Sequence, residues 1–199
     1  MKKLLIDTVS SLQFQPGMLN ESSYQENGRL VVPCILQKAD EMNQNQRSYP
    51  KEVLVREANK YMKDFIKEGR GGGELDHPDT SVVSLRNASH RIIDLWWEGN
   101  TLKGKLEVSN TPNGHILENL LRDGWRVGIS SRGLGSVKNV SEGNAEVQDD
   151  FELIAWDVVS NPSTYGAFLS AVNEGVDKEN NDNNQKINEL VGEILRYLS

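Results

Sequence analysis

Several stretches of the chain carry apolar residues at every second position or throughout, as β-strands do. They lie at residues 4–9, 29–38, 89–97, 101–108 and 151–159. The turn Glu98-Gly99-Asn100 joins two of them and predicts a β-hairpin. Pro33 in the second run predicts a sheet edge or a bulge, because proline cannot donate to a ladder. The run at 151–159 is apolar on both faces, which predicts a central strand.

Two other stretches carry apolar residues three and four positions apart, the spacing of amphipathic helices. In the first, Ser48 is a candidate cap, Pro50 lies near the first helical position and Gly69 ends the pattern. In the second, Thr111 precedes a proline at the start and Gly124 ends the helix. The apolar stripes are Leu54, Ala58, Tyr61, Met62 and Phe65, and Ile116, Leu117, Leu120 and Leu121.

The segment 123–136 reads as a short strand that runs into a glycine-rich turn. Val127 and Ile129 alternate onto one face, which places Ser130 on the other. A turn at Gly133 could let backbone N–H groups converge on one point. An accessible hydroxyl near such donors is what a nucleophilic serine needs, although the same residue types also form ordinary turns.

A second segment, 71–78, contains three glycines followed by Glu-Leu-Asp-His-Pro. Because Pro78 biases the preceding residue away from helix, the ring of His77 is expected to project from extended backbone. Asp76 then points the other way and is a poor orienting partner for that ring.

Metal binding is the weaker interpretation of the same segment. Its spacing matches no zinc pattern, and His90 and His115 have no ligand residues beside them in sequence. We therefore predict no metal and no cofactor, and we expect His90 at the surface among polar neighbours.

The net charge of −7 and the pI near 5.1 argue against a nucleic-acid-binding surface. The single cysteine, Cys34, excludes an internal disulfide, fits a reducing cytoplasm and lies in an apolar run that predicts a buried, inert thiol. No apolar run approaches the length that spans a membrane. These properties indicate a soluble intracellular protein.

Taken together, Gly-Glu-Leu-Asp-His-Pro at 73–78 and Gly-Ile-Ser-Ser-Arg-Gly-Leu-Gly-Ser at 128–136 resemble the two signature motifs of tailed-bacteriophage prohead proteases. The resemblance extends over about residues 30–162 and includes Asn-Gln-Arg-Ser-Tyr-Pro at 45–50. It implies a mixed α/β fold, mainly an antiparallel closed sheet surrounded by helices, similar to herpesvirus assemblins. It also implies a serine endopeptidase that acts on scaffold or core proteins and major capsid proteins inside the assembling prohead in the host cytoplasm.

The same resemblance implies residue roles. Ser130 would attack the scissile carbonyl, His77 would accept its proton, and Asp157, just before Val-Ser-Asn-Pro, would hold the imidazole. Periodicity by itself indicates only that Asp157 faces inward. The alternatives are a loop histidine without a task and a carboxylate that caps the end of a strand.

Three neighbours of Ser130 are candidates for oxyanion or positioning roles. Ser131 is a rival nucleophile, but it shares the face of Val127 and should point into the core, where its hydroxyl needs a backbone partner. Arg132 lies on the face of Ser130 and could position the oxyanion or a water, or form a surface salt bridge. Gly133 could present a backbone N–H.

The composition divides the chain into a protease domain at 1–172 and a polar, disordered segment at 173–199 that ends in a short amphipathic helix. Proteases of the resembled type cut after glutamate with an aliphatic residue two positions before, which makes Glu189 and Glu193 self-cleavage candidates. The alternative function is a catalytically silent internal core protein that assembles through this helix. The sequence leaves a homo-oligomer open.

Overall fold

The computed structural model describes residues 2–12, 28–141 and 143–160. These residues form ten strands and two α-helices, a mixed α/β fold. In chain order the elements are β1 Lys3–Leu12, β2 Val31–Lys38, β3 Arg47–Ser48, α1 Lys51–Tyr61, β4 Gly72–Glu74, β5 Ala88–Glu98, β6 Thr101–Val108, α2 Pro112–Arg122, β7 Val127–Gly135, β8 Val137–Ser141, β9 Asn144–Val147 and β10 Glu152–Val159.

The strands form three separate sheets in the orders β1-β7-β10, β2-β6-β5-β4 and β3-β9-β8. All pairings are antiparallel except that of β3 with β9. The predicted antiparallel character is therefore confirmed, whereas the predicted closed sheet is wrong for the described residues. An isolated parallel bridge between Leu75 and Val158 links the first two sheets.

The predicted hairpin and edge strand are both confirmed. Gly99 has φ 59°, a left-handed conformation that glycine adopts without strain, and it turns β5 into β6. Pro33 lies in β2, which pairs with β6 alone in its sheet, so the missing N–H leaves no second neighbour unpaired.

Both predicted helices are present. Helix α1 follows Pro50 and has no side-chain cap, since Ser48 lies in β3, so the predicted Ser48 cap is wrong. A π-helical turn at Met62–Ile66 extends α1, and Gly69 with φ 68° ends it. In α2, Thr111 accepts a hydrogen bond from the backbone N–H of Gly114 at 3.1 Å, as an N-cap does.

The strand β10 is buried on both faces without being central. It pairs with β7 on one side and lies at the end of its sheet, so the predicted central position is wrong. Its second side is covered by β4, and the ring of Tyr61 from α1 packs edge-on against Trp156 at 4.8 Å. The apolar residues on both faces of β10 are therefore explained by packing against β4 and α1, not by a central position in the sheet.

The predicted glycine turn after Ser131 is also wrong, because Gly133 and Gly135 continue β7. A Cβ at Gly133 would lie 2.4 Å from the ring of Phe151. The missing side chain lets that aromatic ring close over the strand, which is a packing requirement rather than a backbone turn.

Cys34 is buried, which confirms the predicted burial, and desolvation raises the pKa of its thiol to about 12, so little of it is the reactive thiolate. None of the helices in the described part of the chain is long and apolar enough to cross a membrane. The boundary at 172 and the segment 173–199, with Glu189 and Glu193, lie outside the described residues.

Candidate active site

The middle strand of one sheet brings a serine and a carboxylate side by side. On β7, Ser130 pairs in register with Thr8 of β1 on one side and with Asp157 of β10 on the other. Directly opposed residues of an antiparallel pair project to the same face of the sheet. Ser130 and Asp157 therefore share a face, and both are fully buried.

The chain reaches the same point from the other sheet through β4. After Glu74, Leu75 bridges to Val158, and the backbone N–H of Asp76 donates to the carbonyl oxygen of Val158 at 2.8 Å. Asp76 has φ 57°, a left-handed backbone conformation that residues other than glycine adopt uncommonly. The chain thus turns sharply on β10 and delivers His77 above the Ser130–Asp157 pair.

The imidazole of His77 contacts both partners. Its Nδ1 lies 2.9 Å from Oδ2 of Asp157, and its Nε2 is hydrogen-bonded to Oγ of Ser130. With Nδ1–H donating to the carboxylate, Nε2 carries the free lone pair that can accept the serine proton. The side chain of His77 is 15% exposed, so the site meets solvent on the histidine side.

The inward direction predicted for Asp157 is confirmed, and its buried carboxylate has a full set of partners. Oδ1 accepts from the backbone N–H of Glu74 at 3.0 Å and from Nη2 of Arg132 at 3.2 Å. Oδ2, which faces His77, also lies 2.9 Å from Nε of Arg132. These contacts offset the cost of burying the charge.

Arg132 was expected to hold an oxyanion or water or to lie in a surface salt bridge, and the surface salt bridge is wrong. The residue is 0% exposed, and its guanidinium joins Asp157 to Glu74, which is 1% exposed. Alternation along β7 places Arg132 on the face of Ser130, which is a sequence signal for this contact. Nothing in the sequence indicates Glu74 as the second partner.

Ser131 points to the opposite side, as predicted. It is buried, and its Oγ donates to the carbonyl oxygen of Asp7 at 3.2 Å. The Asp7 carboxylate in turn accepts from Nη1 of Arg47 at 2.9 Å and Nδ2 of Asn45 at 2.7 Å, and from the Tyr49 hydroxyl. Burial, and to a smaller extent the nearby charge of Asp7, raise the pKa of Tyr49, so its hydroxyl stays protonated and can donate.

Gly133 was expected to present a backbone N–H from a turn. Instead it pairs with Leu5 on β1 and with Leu153 on β10 in the middle of the sheet. The basis of its predicted oxyanion role was the turn, which is absent at this point of the described chain.

His90 was expected at the surface, and this is wrong because β4 and β10 cover it. Its Nε2 donates to the carbonyl oxygen of Trp156 at 2.9 Å, and its Nδ1 accepts from Oγ of Ser89 at 2.8 Å. Burial lowers the pKa of His90 below its ordinary value of 6.5, against smaller opposing effects of the Trp156 hydrogen bond and the Asp157 charge. The neutral ring thus supports the backbone directly before Asp157.

No group of three or more His, Cys, Asp or Glu side chains within residues 2–12, 28–141 and 143–160 is arranged to hold a metal ion.

Comparison with known proteins gives consistent matches. A family model described as prohead core protein serine protease matches residues 7–178. The prohead core protein protease of Enterobacteria phage T4 is 34% identical over 145 residues, which cover 71% of this chain and 68% of that protein. The solved structure of the bacteriophage T4 capsid assembly protease superposes with a TM-score of 0.70 at 30% identity, covering 81% of this chain and 99% of that one.

Proposed function

Because this chain belongs to the prohead core protein serine protease family, we propose that it is a serine endopeptidase whose catalytic triad is Ser130, His77 and Asp157. One observation carries the proposal. The His77 ring bridges the other two residues, with Nδ1 2.9 Å from Asp157 Oδ2 and Nε2 hydrogen-bonded to Ser130 Oγ.

The first half of the reaction acylates the serine. Ser130 Oγ bonds to the scissile carbonyl carbon while its proton moves to His77 Nε2 and the carbonyl electrons move onto oxygen. As the carbon–nitrogen bond breaks, the imidazolium returns that proton to the leaving amine. Asp157 holds the ring orientation and stabilises the transient imidazolium.

The second half releases the acyl fragment. Water bonds to the acyl carbon as His77 accepts one of its protons, and the ester bond to Ser130 Oγ then breaks. The serine oxygen takes the proton back from the ring, so the acid product leaves and the starting enzyme is restored.

The proposed substrates are the scaffold or core proteins and the major capsid proteins of an assembling prohead. The enzyme would act inside this prohead, which assembles in the host cytoplasm. The family description and the T4 relative, a prohead core protein protease, support this assignment. We further propose an assemblin-like arrangement of the catalytic domain and cleavage after glutamate with an aliphatic residue two positions before it.

The proposal extends to the chain's own tail. Residues 1–172 are the protease domain, and Ile187-Asn188-Glu189 in the segment 173–199 fits the proposed cleavage pattern, as does Val191-Gly192-Glu193 less closely. Mass spectrometry of active protein should find termini at Glu189 or Glu193. A chain that stays intact through Ser199, while a peptide with the same residues is cut, would contradict self-cleavage.

Labelling by a fluorophosphonate tests the triad directly, because only an activated serine reacts. Wild type and Ser131→Ala should be labelled, whereas Ser130→Ala should not. The alternative, a catalytically silent core protein, requires wild type to remain unlabelled and to cut no peptide.

A further inference from the structure

We propose that Arg132 and Glu74 act as a pair of positioning residues that fix both the acid and the base of the triad. The inference rests on the proposed roles of His77 and Asp157. It comes from one buried cluster in which a single guanidinium contacts the acid, a second carboxylate and the loop that follows the base.

The cluster first fixes the rotation of the Asp157 carboxylate. Oδ1 is occupied by the backbone N–H of Glu74 and by Nη2 of Arg132, at 3.0 and 3.2 Å. With Oδ1 held on that side, Oδ2 is left facing Nδ1 of His77 at 2.9 Å. A carboxylate without these donors can rotate about its last bond and weaken the hydrogen bond that aligns the imidazole.

The cluster also balances charge where water does not reach. Glu74 and Asp157 are two buried carboxylates, and the guanidinium of Arg132 between them is the cation that both contact. Removing a buried cation leaves like charges uncompensated in a medium of low polarity. Arginine suits the position because its guanidinium presents N–H donors in a rigid planar fork that spans acceptors on several sides, whereas a lysine ammonium is a compact point charge.

Arg132 also affects the position of His77 indirectly, by contacting residues that precede and follow it. Its Nη1 donates to the carbonyl oxygen of Thr80 at 2.8 Å, three residues after His77. Glu74, three residues before His77, accepts from the backbone N–H of Ser84 at 2.9 Å. Arg132 therefore contacts the segment that carries the imidazole on both sides of His77, at Glu74 and at Thr80, and it also contacts Asp157.

The test is the labelling kinetics of the full chain with a fluorophosphonate probe, which separate the maximal rate of serine modification from the affinity for the probe. Arg132→Gln should lower the maximal rate about 10- to 100-fold with affinity changed less than about twofold, because a small misplacement of the triad acts on chemistry rather than binding. Arg132→Lys should recover part of the rate. Glu74→Gln should lower it several-fold.

A matched control removes an arginine from another buried carboxylate. Arg47→Gln takes away the charged partner of fully buried Asp7, which lies on β1 directly opposite Ser131. This variant should lose stability yet keep the wild-type labelling rate per folded molecule. A purely structural role for Arg132 predicts that both variants behave alike, and that result would overturn the inference.

If Arg132→Gln does not fold, the other two variants decide. Wild-type maximal rates in folded Arg132→Lys and Glu74→Gln would overturn the inference, and reduced rates at unchanged affinity would support it. Failure of the triad itself gives a different result, since wild type would then remain unlabelled or Ser130→Ala would be labelled like wild type.

Discussion

The buried ring of His90 donates a hydrogen bond to the carbonyl oxygen of Trp156 at 2.9 Å, and Trp156 directly precedes Asp157 on β10. A histidine that takes no part in the proposed chemistry therefore supports the strand that carries the acid. Because burial lowers its pKa below 6.5, the folded protein keeps this ring neutral where an exposed histidine would be charged.

This pairing predicts a pH dependence of stability. Below about pH 6.5 the unfolded chain binds a proton at His90 that the folded chain does not, so the free energy of unfolding should fall as the pH drops. Urea unfolding at about pH 7.5 and about pH 5.5 should show a smaller difference for His90→Gln than for wild type. Equal differences in the two proteins would show that His90 titrates alike in both states.

Gly73 approaches the same contact and should not accept a side chain. A Cβ there would lie 2.1 Å from the carbonyl oxygen of Trp156 and 2.5 Å from Nε2 of His90. Gly73→Ala should therefore lower the free energy of unfolding by about 1–3 kcal/mol or more, because the backbone of Trp156 occupies the position of the added Cβ. Gly72→Ala is the control, since its Cβ would meet nothing nearer than 3.8 Å. Thermal or urea unfolding compares them, and equal effects would contradict the close approach.

Asp76 should tolerate residues that accept its left-handed backbone and resist those that do not. Its φ of 57° costs a β-branched residue about 1–3 kcal/mol, whereas glycine adopts it freely. Asp76→Gly should unfold at the same or a higher urea concentration than wild type. Asp76→Val should unfold earlier and label more slowly, because this turn aims His77. Equal stability of the two variants would exclude a strained turn.

The three proposed triad members should differ in how completely their loss stops the reaction. Ser130→Ala and His77→Ala should abolish peptide cleavage in folded protein. Asp157→Asn should leave measurable cleavage, since the serine and the imidazole remain although the ring is held less well. Cleavage by Ser130→Ala together with an inactive Ser131→Ala would reverse the choice of nucleophile.

The alternation of side chains along β7 predicted more than any composition measure. It placed Ser131 toward the core, where its hydroxyl donates to Asp7, and it placed Arg132 on the face of Ser130, where its guanidinium contacts Asp157. The same reasoning placed Asp157 inward. These predictions hold because a strand has a fixed two-residue period whatever surrounds it. The choice of His77 and Ser130 as catalytic residues came from the resemblance and stays a proposal.

The predictions that were wrong depended on what another part of the chain does. His90 has polar neighbours in sequence, but β4 and β10 cover it in space. Gly133 has the residue type of a turn, yet it is small because Phe151 lies against it. The strands that cover His90 and the ring that packs on Gly133 are distant in sequence, so a local sequence pattern cannot reveal these contacts. The ion pair of Glu74 with Arg132 joins two sheets and is hidden for the same reason.

The pairing of β1 with β7 has a consequence for when this protein can act during its own synthesis. Lys3 at the start of β1 has Gly135 as its partner, so this end of β1 cannot pair with β7 until the ribosome has added Gly135. Asp157 lies later still, on β10. Contacts that close such long loops form late in folding. The nascent chain therefore carries no assembled Ser130–His77–Asp157 cluster, and neighbouring proteins are exposed to it only after translation has passed the last of these residues.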